Sequence, residues 1–250
     1  MIIAINLLKF SLACVFIIAV SISAGEKNSE ERSSNVDKIN TTKGDLMVTL
    51  VGHASLMFDF NGKILYIDPV MSEGDYNKMP KADIIIVTHE HGDHLDPFAI
   101  NAVRTDATAI ILTKRCSEKV EGGIIMYNGD TDTVKGLPIE AVPAYNIVNK
   151  RSNGQPFHPK GNGNGYIITF GDKKIYIAGD TENTPEMKAL KNIYAAFLPM
   201  NLPYTMNPEM VADAVIAFKP VILYPYHRDD KLIEKLKNLL KKESIDIRIL

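Results

Sequence analysis

The chain has 250 residues, of which 46% are hydrophobic and 23% are charged, and its formal net charge is −2. This composition is that of an ordinary globular protein with a sizeable core, in one large domain or two small ones. The slightly acidic balance lacks the basic footprint of a nucleic-acid-binding protein, so we expect no nucleic-acid partner. Cys116 is the only cysteine after Cys14, which excludes an internal disulfide from the folded part.

Residues 1–24 differ from the rest and are predicted to be a secretory signal peptide. Lys9 precedes an uninterrupted apolar stretch at residues 12–20, and small residues follow at positions 21 and 23–25, as in secretory signals. The alternative is an uncleaved anchor, because residues 1–22 are nearly long enough to span a bilayer. We therefore expect an exported protein, periplasmic or extracellular, or one anchored by residues 1–22 and touching the membrane only there.

After the signal segment, residues 25–44 are polar and are predicted to form a flexible tether. Residues 45–250 alternate strands and helices, which predicts a single α/β domain. Strands are predicted at residues 46–51, 56–60, 63–68, 83–88, 109–113, 124–127, 137–143, 166–170, 174–178 and 221–224. Helices are predicted to begin after Asp96, Thr184 and Asn207, each a cap residue followed by proline, and a last helix is predicted at residues 230–242.

Residues 144–165 form an irregular stretch that is too long for an ordinary connection. The stretch ends in alternating glycines at positions 161, 163 and 165. These precede a strand, whereas a phosphate-binding glycine loop follows a strand and opens a helix. The sequence therefore predicts a mobile lid with a glycine hinge.

The functional prediction depends mainly on residues 89–94. They read His89-Glu90-His91-Gly92-Asp93-His94 and contain three of the six histidines of the chain. Residues i and i+2 of a strand point the same way, so His89 and His91 can hold one ion at the end of the strand 83–88. Asp93 and His94 lie on the following turn, where they can hold a second ion. Imidazole and carboxylate are common metal ligands, so this run indicates a metal site.

Two further candidate ligands lie where α/β folds collect active-site groups. Asp180 follows the predicted strand 174–178, and His227 follows the predicted strand 221–224. The ends of strands are the usual place for such groups. Beside a metal motif, we interpret both residues as ligands rather than as a helix cap and a surface histidine.

These motifs resemble the metallo-β-lactamase superfamily, specifically its small bacterial and archaeal metal-dependent hydrolases rather than true β-lactamases. Between residues 46 and 250, the matching segments are Gly52-His53, Ile67-Asp68-Pro69, residues 89–94, Ala178-Gly179-Asp180-Thr181 and Pro225-Tyr226-His227. The resemblance implies a four-layer αβ/βα sandwich with two metals at one edge of the paired sheets. It implies that His89 and His91 bind the first ion, that Asp93, His94 and His227 bind the second, and that Asp180 bridges both.

One position departs from the family pattern. A third histidine for the first ion normally follows the strand equivalent to residues 137–143, but here Ala144-Tyr145-Asn146 follows. His158 lies twelve residues beyond Asn146 and can fold back as the replacement. We therefore predict His158 as the missing ligand, with Asn146 as the weaker candidate.

Several other residues are predicted to support the site. His53 is expected to contact substrate or ligands rather than a metal, and Asp68 to fix the loops beside the metals by hydrogen bonding. The basic residues of the lid are either anion-binding groups or solubilising charges, and they are Lys150, Arg151 and Lys160.

The predicted activity is hydrolysis by a metal-bridging hydroxide of an ester, lactone or phosphodiester, in a small-molecule substrate with an anionic group. Asp93 and Asp180 are the predicted catalytic residues. The expected cofactors are two divalent ions, with zinc ranked ahead of manganese or iron. The alternatives are a metal-binding or sensing module with little turnover and, ranked lower, an exported β-lactamase-like amidohydrolase.

Overall fold

A computed structural model of the chain describes residues 35–250. The predicted signal peptide or anchor at residues 1–24, and the predicted tether up to residue 34, lie outside the described residues. No helix within residues 35–250 is long and apolar enough to cross a membrane.

Two mixed sheets of seven strands form the centre of the described chain. Sheet A contains β1 (Val36–Thr41), β2 (Gly44–Gly52), β3 (Ser55–Phe60), β4 (Lys63–Ile67), β5 (Ile84–Ile86), β6 (Ala109–Leu112) and β7 (Ile124–Ile125). Strands β1 to β4 form an antiparallel meander, and β4 to β7 run parallel.

Sheet B repeats this plan in the second half of the chain. It contains β8 (Thr131–Val134), β9 (Leu137–Ala144), β10 (Gly163–Phe170), β11 (Lys173–Ile177), β12 (Ala195–Met200), β13 (Ile222–Arg228) and β14 (Asp246–Ile247). Strands β8 to β11 are antiparallel, and β11 to β14 are parallel.

The first three helices begin directly after the predicted cap residues, and the last is shorter than the predicted range 230–242. The helices are α1 (Pro97–Val103), α2 (Pro185–Lys188), α3 (Pro208–Phe218) and α4 (Ile233–Leu240), with short 3-10 turns at Cys116–Glu118 and Asp230–Leu232. The side chains of Asp96, Thr184 and Asn207 accept hydrogen bonds from backbone N–H groups in the first turns of α1, α2 and α3. Each cap satisfies a helical N–H that has no partner within its helix.

Three hydrophobic clusters hold the layers together. The cluster between the sheets is centred on Phe58. The ring centroid of Phe58 lies 5.7 Å from that of Phe170 and 5.8 Å from that of Phe197. A second cluster packs α1 against the outer face of sheet A. The third packs α2, α3 and α4 against the outer face of sheet B. The predicted four-layer αβ/βα sandwich is therefore confirmed.

Strand β1 corrects the predicted tether. Val36–Thr41 pairs with β2 along its whole length, and Ile39 is buried in the core between the sheets. The tether prediction is therefore wrong from Val36 onwards. The polar composition misled because an edge strand with one solvated side needs few apolar residues.

The glycine run is not a hinge. Gly163 and Gly165 belong to β10, where a Cβ atom on Gly165 would lie 2.8 Å from the backbone oxygen of Ala178. Glycine allows the two chain segments to approach closely at this point. The irregular connection is therefore shorter than predicted and spans residues 145–162.

Strands β8, β12 and β14 are not indicated by the sequence patterns. Strand β8 is a polar edge strand, β14 has only two residues, and β12 contains Pro199. Strands β8 and β14 lack an alternating or continuous apolar run. Strand β12 is a continuous buried apolar run, but its two alanines and Pro199 are residues that disfavour a strand.

Candidate active site

The turn between β5 and α1 carries four candidate ligands. All three residues of β5 are buried isoleucines, which anchor the strand in sheet A. The backbone N–H groups of His94 and Leu95 both donate to His91 O, closing a tight turn. This turn brings His89, His91, Asp93 and His94 to one side of the sheet edge.

Asp180 follows β11 at a position that glycine makes possible. Gly179 has φ +63°, and a Cβ atom there would lie 2.9 Å from Asn164 O. Its N–H donates to the hydroxyl of Tyr226 at 3.0 Å. The left-handed glycine thus turns Asp180, which is 5% exposed, into the cluster.

His227 lies within β13 at a β-bulge, not after the strand as predicted. Pro199 pairs with Tyr226 and Met200 with Arg228, which leaves His227 unpaired with β12. Its N–H donates to His53 O instead, and both histidines have positive φ, +43° and +47°. A bulge re-aims the side chain of the extra residue, and here it points the buried imidazole at the cluster.

His158 reaches the cluster from the connection between β9 and β10. It is buried, and its Nε2 lies 3.1 Å from His91 Nδ1 and 3.2 Å from Asp180 Oδ2. The structure thus brings His158 to the place where the sequence predicts a missing ligand.

The candidate ligand atoms form two groups of four that share Asp180. The first quartet is His89 Nε2, His91 Nδ1, His158 Nε2 and Asp180 Oδ2, with neighbouring atoms 3.1–3.9 Å apart. The second quartet is His94 Nε2, His227 Nε2, Asp93 Oδ2 and Asp180 Oδ1, with neighbouring atoms 3.4–3.8 Å apart. One carboxylate oxygen of Asp180 therefore faces each group.

The spacings between neighbouring donor atoms in both quartets suit a divalent ion, and His89, His91 and His158 all lie close enough together to hold one. Ligands about 2.1 Å from a tetrahedral ion lie roughly 3.4 Å from one another, close to the observed spacings. His94 Nε2, Asp180 Oδ1 and His227 Nε2 are three of the five buried side-chain N and O atoms that lack a hydrogen-bond partner within residues 35–250. Leaving such atoms unsatisfied is costly, and a shared ion removes that cost.

Asp68 and Thr88 orient two of the imidazoles. The fully buried Asp68 carboxylate accepts hydrogen bonds from Thr88 N at 2.7 Å, Thr88 Oγ1 at 2.6 Å and His94 Nδ1 at 2.8 Å. Because the carboxylate is an acceptor, the proton of neutral His94 is on Nδ1 and the lone pair is on Nε2. Thr88 Oγ1 also lies 3.0 Å from His89 Nδ1. Asp68 thus has the supporting contacts that were predicted for it.

The protonation equilibria divide the imidazoles into two kinds. Burial lowers the pKa of His89 and His91, and the neighbouring imidazoles add to this effect, which favours neutral rings with a free lone pair. Burial alone would also lower the pKa of His94, but Asp180 and Asp68 outweigh it and raise that pKa to about 9.

The two carboxyl groups of the cluster stay ionised. Hydrogen bonds from His227 and His53 hold the pKa of Asp93 far below its usual range. Burial opposes ionisation of Asp180, but the imidazoles of His94 and His227 outweigh it and lower its pKa as well. Both side chains are therefore anionic at neutral pH, as metal ligands must be.

A cavity of about 380 Å³ opens beside the second quartet. Asp93, whose side chain is 52% exposed, and His53 both line it. Its wall contains Phe157 and Tyr204, with ring centroids 5.1 Å apart, and Arg151, whose guanidinium lies over the Phe157 ring. Asp93 is therefore accessible from solvent through this opening.

The three predicted basic residues have different surroundings. Arg151 lines the cavity, whereas Lys160 pairs with Glu186 at 2.6 Å and lies over the Tyr145 ring. Lys150 forms an isolated bridge with Pro156 and does not line the cavity. Of these three, only Arg151 is placed to meet a ligand.

Asn146 and His53 both contact candidate ligands. Both polar atoms of the Asn146 amide are occupied by protein groups, so it contacts His158 and does not join either quartet. His53 Nε2 lies 3.5 Å from Asp93 Oδ2, and His53, Asp93 and His227 are close enough to share an ion. All six histidines therefore converge on the site.

The sequence patterns miss Glu182, Phe157, Asn201 and Tyr204. Asn201 and the two aromatic residues line the cavity, and Glu182 is fully buried behind the β9–β10 connection. The only available signal for Glu182 is its closeness in sequence to Asp180. Phe157, Asn201 and Tyr204 lie in connections between strands or between a strand and a helix, and no sequence pattern predicts that these connections reach the cavity.

Known proteins share the sequence family and the fold of this chain. The beta-lactamase superfamily domain matches residues 47–227. A UPF0173 metal-dependent hydrolase of Methanopyrus kandleri is 31% identical over 198 residues, 73% of this chain and 84% of the relative. One from Thermococcus onnurineus is 34% identical over 194 residues, 72% of this chain and 83% of the relative.

Solved structures that share this fold are also named as metal-dependent hydrolases. A Parabacteroides distasonis protein described as a metal-dependent hydrolase is 49% identical, has a TM-score of 0.82, and is matched over 86% of this chain and 97% of its own. A metallo hydrolase from Ignicoccus hospitalis shares the fold at 22% identity, with a TM-score of 0.65 and coverage of 82% and 94%.

The fold, the His and Asp cluster and these relatives define a metal-dependent hydrolase. The chain belongs to the beta-lactamase superfamily. The relatives that it matches are named for metal-dependent hydrolysis and not for cleavage of β-lactams.

Proposed function

We propose that this protein is a binuclear hydrolase, with His89, His91 and His158 holding a first divalent ion and Asp93, His94 and His227 a second, bridged by Asp180. The observation that carries the proposal is the arrangement of two quartets around the two oxygens of Asp180. The unpartnered buried atoms of the second quartet support it. A closed thiolate site is the usual structural alternative, and this donor set contains no sulfur.

Divalent ions in such a site act as Lewis acids and lower the pKa of water, which makes hydroxide available at neutral pH. Asp93 is the most exposed member of the two quartets and faces the cavity. We assign to it the orientation of the attacking water. The buried Asp180 fixes the position of the two quartets relative to each other, because one of its carboxylate oxygens faces each quartet. His53, whose side chain is 32% exposed beside Asp93, contacts the substrate.

The cavity supports a small substrate with an ester, lactone or phosphodiester bond and an anionic group. Its volume of about 380 Å³ lies in the usual range for small-molecule sites. Arg151 has no ion-pair partner within residues 35–250 and rests on Phe157. Its guanidinium donates one hydrogen bond to Phe157 O, and its other N–H groups can pair with a carboxylate or phosphate. Phe157 and Tyr204 provide an apolar surface beside it.

Metal content and hydrolysis test the proposed centre together. We expect two ions per chain after loading with zinc, manganese or iron, and hydrolysis of bis(p-nitrophenyl) phosphate, p-nitrophenyl esters or lactones. Asp180→Asn should abolish turnover and weaken both ions, whereas Asp75→Asn, a surface acid paired with Lys78, should change neither. Full metal content and activity in Asp180→Asn would refute the proposed centre.

The role of Arg151 is tested with two esters of equal chain length, of which only one carries a charge. Mono-p-nitrophenyl adipate ends in a free carboxylate, and p-nitrophenyl hexanoate has a methyl group in its place. Arg151→Gln should raise KM about tenfold or more for the anionic ester, because hydrogen bonds to charged groups contribute about 1.5–3 kcal/mol. Lys150→Gln is the matched control. An equal change for both esters would show that Arg151 does not recognise the anion.

A further inference from the structure

The imidazole of His158 has to be held in place by groups outside its own strand. It lies in the connection at residues 145–162, between β9 and β10, and not at a strand end like the family's usual ligand. Yet it is only 5% exposed, and its Nε2 faces the first quartet. A ligand on a connection needs a rigid second layer of contacts to keep its geometry.

Asn146 supplies the first of these contacts. Its Oδ1 accepts from His158 N at 2.8 Å and from His158 Nδ1 at 2.7 Å. An amide oxygen only accepts, so this contact places the imidazole proton on Nδ1 and leaves the lone pair on Nε2. The orientation of the Asn146 amide thus decides whether His158 can bind an ion.

Glu182 in turn decides the orientation of that amide. Asn146 Nδ2 lies 3.2 Å from Glu182 Oε1 and 2.8 Å from Tyr204 O. A carboxylate and a carbonyl both require a donor, so the amide nitrogen must face them and the amide oxygen must face His158.

The Glu182 carboxylate is surrounded by donors. Besides Asn146 Nδ2, it accepts from the backbone N–H groups of Ile147 and Val148 at 2.7 Å and of Asn149 at 2.6 Å. Each carboxylate oxygen receives two of these four bonds. Glu182 is 0% exposed and forms no ion pair among the described residues. Glutamine cannot replace it without turning an NH₂ group towards at least two donors.

We propose that Glu182 is the positioning residue for the first metal ion: it fixes residues 146–149 and the Asn146 amide, and thereby the tautomer and aim of His158. The proposal rests on the proposed function, since it takes His158 as a ligand. Glu182 belongs neither to the quartets nor to the cavity lining. It acts on the metal only through Asn146 and His158.

Metal affinity of the purified protein is the measurement that tests this chain of contacts. Glu182→Gln should weaken one of the two ions by about 10–100-fold, the usual effect of losing a partner behind a metal ligand. His158→Gln should weaken binding of the same ion by at least as much. In cobalt-loaded protein, both variants should show the same change in the visible absorption spectrum. Glu186→Gln is the matched control, because Glu186 pairs with Lys160 on the same connection but does not contact Asn146.

The double variant His158→Gln/Glu182→Gln separates positioning from general stabilisation. If Glu182 acts through His158, the second substitution weakens metal binding no further. An additive loss, or a loss of both ions in Glu182→Gln, would overturn the proposal. If Glu182→Gln does not fold, Asn146→Ala removes the same link and should give the same loss of one ion; retention of both ions there also overturns it.

The outcomes also distinguish this inference from the proposed function. Retention of both ions in Glu182→Gln, with loss of one in His158→Gln, refutes the role of Glu182 and leaves the binuclear centre intact. Retention of both ions in His158→Gln refutes the first quartet itself, and with it the role of Glu182.

Discussion

The substitution Asp68→Asn tests whether the second quartet depends on one tautomer of His94. Asp68 has φ +45°, a left-handed conformation that asparagine tolerates well, so the backbone should not change. The carboxylate accepts three hydrogen bonds, from Thr88 N, Thr88 Oγ1 and His94 Nδ1. An amide can keep its oxygen towards Thr88 N, but its NH₂ then faces His94 Nδ1.

In that arrangement His94 Nδ1 must accept, and the imidazole proton moves to Nε2. Nε2 lies 3.4 Å from Asp180 Oδ1, inside the second quartet. A protonated Nε2 cannot bind an ion. We therefore expect the second ion to bind about 10–100-fold more weakly, which corresponds to about 1.4–2.8 kcal/mol.

Chelator competition on purified Asp68→Asn protein measures this change directly. The matched control is Ser55→Ala, which removes the hydrogen bond from Ser55 Oγ to the backbone oxygen of Asp68 but leaves the carboxylate intact. Ser55→Ala should lower the free energy of unfolding by about 1 kcal/mol without changing metal affinity. Unchanged binding of both ions in Asp68→Asn would refute the tautomer argument.

Three further predictions concern the pH dependence of metal binding and the fold. His94 has a pKa of about 9 in the metal-free protein and must lose a proton to bind; affinity for the second ion should therefore rise up to about tenfold per pH unit between pH 7 and 9 and then level off. A flat profile in chelator competition would contradict this. Ile39→Ala should lower the free energy of unfolding by about 2–5 kcal/mol, whereas Lys38→Ala should lower it by less than about 1 kcal/mol. Equal small effects of the two substitutions in urea denaturation would show that residues 36–41 are a tether and not a packed strand. Gly179→Ala should destabilise by about 1–3 kcal/mol, because its Cβ atom meets Asn164 O at 2.9 Å; unchanged thermal unfolding would count against this.

The sequence alone indicates the fold class and most of the elements. The isoleucines of β5 and the capped starts of α1, α2 and α3 carry local signals, because apolar runs and cap residues act within a few positions of one another. Strand β1 is not predicted from the sequence, because its pairing with β2, and not its composition, makes it a strand.

The sequence also identifies the residues that meet in the cluster, since histidines and aspartates at strand ends have few other uses in such numbers. Residues 89–94 are close together in the chain, so their meeting needs only one strand and one turn. The tertiary structure alone decides how distant segments complete the site. The bulge at His227, the division of Asp180 between two quartets, and the path from Glu182 through Asn146 to His158 all depend on contacts between separate elements. No local pattern encodes such contacts, because they arise only when packing of the two sheets brings their loops to the same edge.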